Sequence, residues 1–468
     1  MRSMAGAAAG HPVPAEVAVG LLRAGGSAAD AAVGGVLAAC VAETIMTGLG
    51  GGGFATYYDA ATRMVTCLDF FCSIPGLDGR RAAHPPTPVH ISFGLMPVDF
   101  AIGAVTVGVP GVPAGCAEVH RRWGRLPWRR VVEPAVELAR HGVPIPTVHA
   151  STLVSVAPAL VPGDGAAIYS PGGRLLRGGD VLFHPGLDRA LAALAADGAD
   201  VFYTGEIGKL MAETVHAGGG ALGPADLAAY EVLEAPVAHA TLGGAHVFAR
   251  SDLNGTVATL AALPPDLPAL PAGRRAVLLA EALREYGRQR PGDTTNISVV
   301  DEQGNACVVT TTLGVGSGVW LPGLGVNLNS MLGEAELLQP EMAPGQRMSS
   351  MMCPLVVVDD GGDLVAAAGS AGASRIRTAL ISTLLGALVD GLDMPAAVAR
   401  PRCHVVDDTV QAEPGCPEEE LAALAAAGFA VNRWDQLNHY FGGVSAIGRA
   451  GAAGDPRRGG AAAPLTPA

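Results

Sequence analysis

The sequence predicts a large folded α/β chain, and three observations carry that reading. Of 468 residues, 49% are hydrophobic and only 16% are charged. Mean hydropathy is +0.34, so the 64 glycines and 35 prolines read as tight turns and close packing, because disorder needs low hydrophobicity. Helical spacing dominates the chain up to about residue 290, whereas residues 294–358 are rich in strand formers.

In order along the chain, residues 14–42 hold two helices rich in Ala and Leu. Val17, Leu21 and Leu22 recur at helical spacing, Gly25 and Gly26 break the run, and Ser27 caps a second helix over 28–40. A glycine run at 48–53 precedes strand-like stretches at 54–59 and 64–70, joined as a hairpin. Residues 72–103 are rich in Pro and His and predict loop. Helical patterns follow at 113–122, 128–141 and 184–198, and within 223–232, where a strand comes next. Four prolines at 262–273 predict a surface crossing, 276–286 a helix, and 288–293 an exposed polar linker. Beyond the strand-rich stretch, 364–369 predicts another strand, and 375–390, 394–400 and 417–427 predict helices. The Gly/Ala/Pro-rich end, 450–468, predicts a disordered tail.

Composition excludes several function classes. A formal net charge of -13 argues against nucleic acid or an anionic membrane as partner. No stretch reaches about 18 uninterrupted apolar residues, and the N-terminus lacks the apolar core of a secretory signal. These features predict a cytoplasmic protein. The eight cysteines (40, 67, 72, 116, 307, 353, 403 and 416) form no CxxC and no zinc spacing with histidine. They read as buried free thiols in a reducing compartment. The glycine run lacks the Lys-Ser/Thr that would complete a phosphate loop. No cofactor and no metal is expected; the expected partner is a small-molecule substrate.

The segment that carries chemistry starts at Thr294. Two β-prone runs, 294–300 and 306–313, flank a five-residue loop containing Gly304, which predicts a hairpin. If Val300 pairs with Ala306, Thr294 falls opposite Thr312, close enough for their hydroxyls to interact. A threonine hydroxyl is a weak nucleophile and needs a base. Its own α-amine serves once the residue is N-terminal, and the polar linker ending at Asp293 suits the cut that would expose it. The hairpin alone fits an ordinary strand equally well, since Thr is common in strands.

The wider sequence resembles the γ-glutamyltranspeptidase family over nearly its whole length. AGGSAADAAV and GLGGGGFATYYDAATRMVTCLDF are similar to that family's early helix, glycine loop and hairpin. VGVPGVPAG, WGRLPWRRVVEPAVELARHG, VFYTGEI and LGPADLAAYE follow in family order. TTNISVVDEQGN resembles the start of the small subunit, and GVGSGVWLPGLGVNLNSM, RMSSMMCPLVV and GSAGASRIRTALIS come after it. The resemblance implies a four-layer αββα sandwich of the N-terminal-nucleophile hydrolase type. It implies self-cleavage between Asp293 and Thr294 into a large subunit, 1–293, and a small subunit, 294–468, that stay together as a heterodimer. By the same resemblance Thr294 is the nucleophile, Thr312 its hydrogen-bonding partner, and Gly372 and Ala373 the oxyanion donors. Ala373 stands where the family usually has Gly; it keeps the N–H but restricts φ. Ser349 and Ser350 match the pair that holds the substrate carboxylate.

Departures cluster on the residues that read the substrate. Asp69-Phe70-Phe71-Cys72 replaces a DFRE-type motif, so Phe71 stands where the family's carboxylate-gripping arginine belongs. Losing that partner removes a strong charge-assisted contact. The family's NNQMDD becomes Asn329-Ser330-Met331-Leu332-Gly333-Glu334, with Met331 for a glutamine and Glu334 for an aspartate. Phe71 and Met331 suit a ring or alkyl group. The pattern resembles divergent family members of 4-alkylproline antibiotic pathways, which implies C–C or amide cleavage releasing an oxalyl-type acyl group. The competing expectations are a γ-glutamyl hydrolase or transpeptidase that uses Arg80, Arg81 or Arg375 instead, and an uncleaved, inactive scaffold.

Overall fold

Ser27 sets the first buried helix. Its side chain accepts from Asp30 N at 3.1 Å, and the Asp30 carboxylate accepts from Ser27 N at 2.9 Å, a reciprocal cap. The two helices it separates are α1 (Pro12–Arg23) and α2 (Ala28–Ala42). Every residue of α2 is buried, as a composition that is small and apolar except for Asp30 requires. Asp30 also accepts from the N–H groups of Arg125 and Leu126 at 2.8 and 3.1 Å, fastening a later loop to the start of α2.

The computed structural model describes residues 4–93, 96–251, 255–285, 294–334, 337–338 and 342–465. Thirteen strands build its two large sheets: β1 (Gly6–Ala9), β2 (Gly52–Asp59), β3 (Met64–Phe70), β4 (Leu233–Ala235), β5 (Val237–Leu242), β6 (Ala245–Arg250), β7 (Thr295–Val300), β8 (Ala306–Thr312), β9 (Leu355–Val358), β10 (Leu364–Ala371), β11 (Gly443–Gly448), β12 (Gly451–Gly454) and β13 (Ala461–Pro464). One sheet has the order β13-β1-β7-β8-β2-β3-β4, the other β12-β11-β10-β9-β6-β5. Between them lies an apolar layer that includes Tyr58, Val300, Val308, Val356 and Ile447. Outside the first sheet sit α1, α2 and the helices Val112–Trp123 and Trp128–His141. Outside the second sits α3 (Arg375–Leu388), with the helices Met394–Ala399 and Ala272–Glu285. The result is the expected four-layer αββα sandwich. No helix among the described residues is long and apolar enough to cross a membrane.

Two expectations fail. The Pro- and His-rich stretch contains a hairpin, Thr87–Phe93 paired with Met96–Ile102. Pro88 and Pro97 sit in this isolated two-stranded ribbon, where missing donors leave no inner ladder broken. The described part of the C-terminal segment expected to be a disordered tail, up to residue 465, carries regular structure. Residues 451–454 extend the second sheet, and 461–464 pair with β1 at the edge of the first. Its small side chains gave no local strand signal. Its conformation comes from the open edge of β1, a partner more than 450 residues away in sequence.

Candidate active site

The hairpin of β7 and β8 sets the site. Val300 pairs with Ala306 and Thr295 with Thr311, so one further step brings Thr294 level with Thr312. Thr312 closes β8 opposite Gly52 of β2, and its hydroxyl accepts from Gly314 N at 2.9 Å. Gly314 has φ +70°, and a Cβ there would meet Glu334 Oε1, Met331 Cε and Ser330 Oγ at 2.7 Å each; only glycine fits that bend. Gly51 answers a similar need, since a Cβ on it would lie 2.2 Å from Thr312 O. The glycine run thus lets one loop rest directly on the end of the strand.

Thr294 is 4% exposed. It lines a pocket of about 280 Å³ together with Thr312 and Ala373. The pocket is otherwise apolar on most sides, walled by Phe71, Met331, Leu337, Met351, Met352 and Ile376, with Ser350 and Glu334 as its remaining polar members. Glu334 is the only charged side chain among the described lining residues. Ala373 reaches the pocket from the turn joining β10 to α3. Gly372 has φ +116° and Ala373 +51°, and their carbonyls accept from Arg375 N and Ile376 N at 3.0 Å each. The positive end of a 14-residue helix therefore adjoins Thr294.

Phe71 is held by its surroundings. Its N–H donates to Asp69 Oδ1 at 2.8 Å and its carbonyl accepts from Tyr230 Oη at 2.8 Å. Asp69 is paired with Arg250 at 2.9 Å and Arg347 at 3.4 Å, so these cations are engaged away from the pocket. Burial pushes the Cys72 thiol well above its usual range.

The sequence-derived candidates separate into two groups. Thr294, Thr312, Ala373, Phe71, Met331, Glu334 and Ser350 meet in one pocket. Ser349 lies beside it, its hydroxyl donating to Leu337 O at 2.9 Å. Asn329 is fully buried; it donates to Gly50 O and Gly108 O and accepts from Gly108 N and Met331 N, stitching loops together. Gly372 shapes the turn, with Gly442 Cα 2.7 Å from where its Cβ would be. Asp293 lies outside the described residues. Arg80, Arg81 and Arg375 do not line the pocket; Arg375 donates to Tyr440 O at 3.0 Å and stacks over that ring. Sequence reasoning passed over Leu337, Met351, Met352 and Ile376, of which the two methionines directly follow the Ser349-Ser350 pair. It also passed over Glu43, a lone acid at the end of an apolar helix. Glu43 accepts from Thr295 Oγ1 at 2.8 Å, and with His149 and Arg458 it lines a second cavity of about 260 Å³ on which Thr294 also borders.

A family model described as gamma-glutamyltranspeptidase matches residues 14–264 and 274–465. The chain belongs to the gamma-glutamyltranspeptidase family. Among relatives of this family, the glutathione hydrolase 5 proenzyme of Mus musculus is 28% identical, covering 98% of this chain and 92% of its own. The acylase ACY 1 proenzyme of Pseudomonas sp. (strain SE83) is 27% identical over 93% of this chain and 88% of its own. Among solved structures, cephalosporin acylase from Bacillus halodurans superposes with a TM-score of 0.81 at 21% identity, covering 98% of this chain and 95% of its own. LmbA2991HD superposes with the same TM-score at 22% identity, over 99% and 98%. These likenesses establish the N-terminal-nucleophile hydrolase fold, and family membership makes the chain a hydrolase or transferase.

Proposed function

We propose that the chain is a self-processing N-terminal-threonine hydrolase acting on a non-γ-glutamyl acyl substrate, in specialised biosynthesis of the antibiotic kind. The observation that carries this reading is the pocket lining: Thr294, Thr312 and Ala373 beside Phe71 and four methionine or leucine side chains, with no cation among the described lining residues. A γ-glutamyl group brings a carboxylate, and a buried carboxylate without a partner is costly. An apolar acyl group or ring meets no such penalty.

In this reading the bond before Thr294 is cut and the freed α-amine becomes the base. The Thr294 hydroxyl attacks the substrate carbonyl while its proton passes to the amine. The N–H groups of Gly372 and Ala373 take the oxyanion, at about 3–4 kcal/mol of transition-state stabilisation per donor. The leaving group, an amine or a stabilised carbanion, departs with the proton, and water then releases the acyl group from Thr294. The same attack and release would free an oxalyl-type acyl group, whose own carboxylate meets the burial cost that a neutral acyl group avoids. The relatives named as proenzymes support the processing step, and those named as acylases support a changed acyl specificity.

Intact mass under denaturing conditions, for the parent and Thr294→Ala, tests the first half. Two fragments meeting at Asp293/Thr294 in the parent and one chain in the variant are expected. A single uncut chain in both would remove the amine base and favour the scaffold reading. A γ-glutamyl anilide assayed beside a neutral acyl anilide tests the second half; faster γ-glutamyl turnover would return the chain to the glutathione-directed reading.

A further inference from the structure

We propose that Cys403 and Cys416 form a redox pair that closes to a disulfide when the folded protein meets a small disulfide oxidant. The two thiols lie far along the chain from the Thr294 pocket, in the Pro401–Pro417 stretch that leads into the helix Glu418–Ala426. Cys403 Sγ is 3.2 Å from Cys416 Sγ. A disulfide bond is about 2.05 Å long, so closure asks for roughly 1.2 Å of relative motion.

The backbone holds the pair in this juxtaposition. Cys403 opens the strand Cys403–Val406, which pairs with Thr409–Ala412 so that Cys403 faces Ala412. Glu413 N donates to Arg402 O at 3.1 Å, Arg402 N donates to the Glu413 carboxylate at 2.9 Å, and Cys416 N donates to Glu413 O at 3.3 Å. The turn carrying Cys416 is therefore latched to the residue before Cys403. Access is asymmetric: Cys403 is partly exposed and Cys416 is buried. Cys403 also lines a cavity of about 550 Å³ with Leu279, Leu283 and Leu424.

That asymmetry sets the order of steps. The Cys403 thiolate attacks one sulfur of the oxidant, giving a mixed disulfide and one small thiolate. The Cys416 thiolate then attacks the Cys403 sulfur and expels the second small thiol. Two protein thiols lose two electrons and two protons, and one small disulfide becomes two thiols. The closed ring would tether the hairpin to the following helix. Arg402, next to Cys403, would carry the restraint onward, since its guanidinium donates to Phe441 O and Gly442 O at 3.0 and 3.3 Å.

The test treats the folded protein with oxidised glutathione, then denatures, alkylates and maps the peptides. Loss of two of the eight alkylatable thiols, with Cys403 and Cys416 in one cross-linked species, is expected. The melting temperature should rise by a few degrees in the oxidised parent, while Cys403→Ser and Cys416→Ser, each confirmed folded, show no such rise. Both thiols remaining alkylatable in a folded, oxidant-treated protein would overturn the proposal. So would a lasting glutathione adduct at Cys403 that Cys416 never displaces.

Discussion

Phe71 stacks on Phe54 with ring centroids 5.4 Å apart and planes at 29°, and the Arg250 guanidinium sits 4.5 Å from the Phe54 ring centre. The position that would read a carboxylate is thus part of an aromatic stack, and the nearby cation is spent on Asp69. Phe71→Arg should raise kcat/KM for a γ-glutamyl anilide by about tenfold or more, since a charge-assisted hydrogen bond contributes about 1.5–3 kcal/mol. It should also lower stability by at least about 2 kcal/mol through loss of the buried ring. Steady-state kinetics and a denaturant midpoint check both. A folded variant with unchanged γ-glutamyl turnover would mean that position 71 does not decide the acyl group.

Ala373 holds φ +51°, a conformation that costs a residue with a Cβ about 1–2 kcal/mol. Ala373→Gly relieves this while loosening the unfolded chain, so stability should stay within about 1 kcal/mol of the parent. Ala373→Val, β-branched at positive φ, should lose more than about 2 kcal/mol and most activity. Paired denaturation curves and acylation rates decide. Equal stability of the valine and glycine variants would contradict the strained turn.

His11 and His184 set an acid limit. Burial, with His149 adjoining, lowers the pKa of His11 to about 3, and burial lowers that of His184 to about 4. Both folded values lie below the unfolded value of about 6.5, so the unfolded chain binds more protons between them. Stability is therefore complete above about pH 6.5 and falls as the pH drops toward 4 and then 3, by up to about 1.4 kcal/mol per pH unit for each group. His184 Nε2 lies 2.8 Å from Thr44 Oγ1, a bond that His184→Gln can keep. The variant should show a shallower decline in melting temperature from pH 6.5 to 4.5; an identical slope would exclude His184 as a source.

Asp455 joins two buried arginines, Arg402 at 2.6 Å and Arg457 at 3.1 Å, and accepts from Val444 N at 3.0 Å. Asp455→Asn leaves those cations short of a counter-charge in a closed interior, at a cost of about 3–5 kcal/mol. Denaturant unfolding should show a much lower midpoint with little change in slope. A loss below about 1 kcal/mol would mean that Glu413 alone neutralises the cluster.

The sequence was most legible where a local signal coincided with the tertiary outcome. Ser27 and Asp30 are three residues apart and cap each other wherever the helix goes. The five-residue loop at 301–305 carried the pairing of Val300 with Ala306 by itself. Legibility failed where a distant partner decides. The strand 461–464 exists because β1 has an open edge, and no property of Ala-Ala-Ala-Pro announces that. Asn329 matched a substrate-reading motif, yet its amide is consumed by loop carbonyls and N–H groups that only the fold assembles. Phe71 and Met331 could be read as apolar substitutions from sequence, but Leu337 and Ile376 join them only because a loop and a helix start converge on the same pocket.

The strand order of the first sheet has a consequence for any chain severed before Thr294. From one edge inward, β13 belongs to the later part of the chain, β1 to the earlier, β7 and β8 to the later, and β2, β3 and β4 to the earlier. The two pieces would be interleaved like the fingers of clasped hands, sharing ladders at three separate seams in this sheet and at a fourth, between β6 and β9, in the other. Parting them would mean unzipping backbone pairs along every seam at once, so dilution should not loosen the assembly and each piece alone would lack the neighbours that give it a shape. Isolated halves mixed after separate expression should consequently fail to restore the native form that the continuous chain reaches.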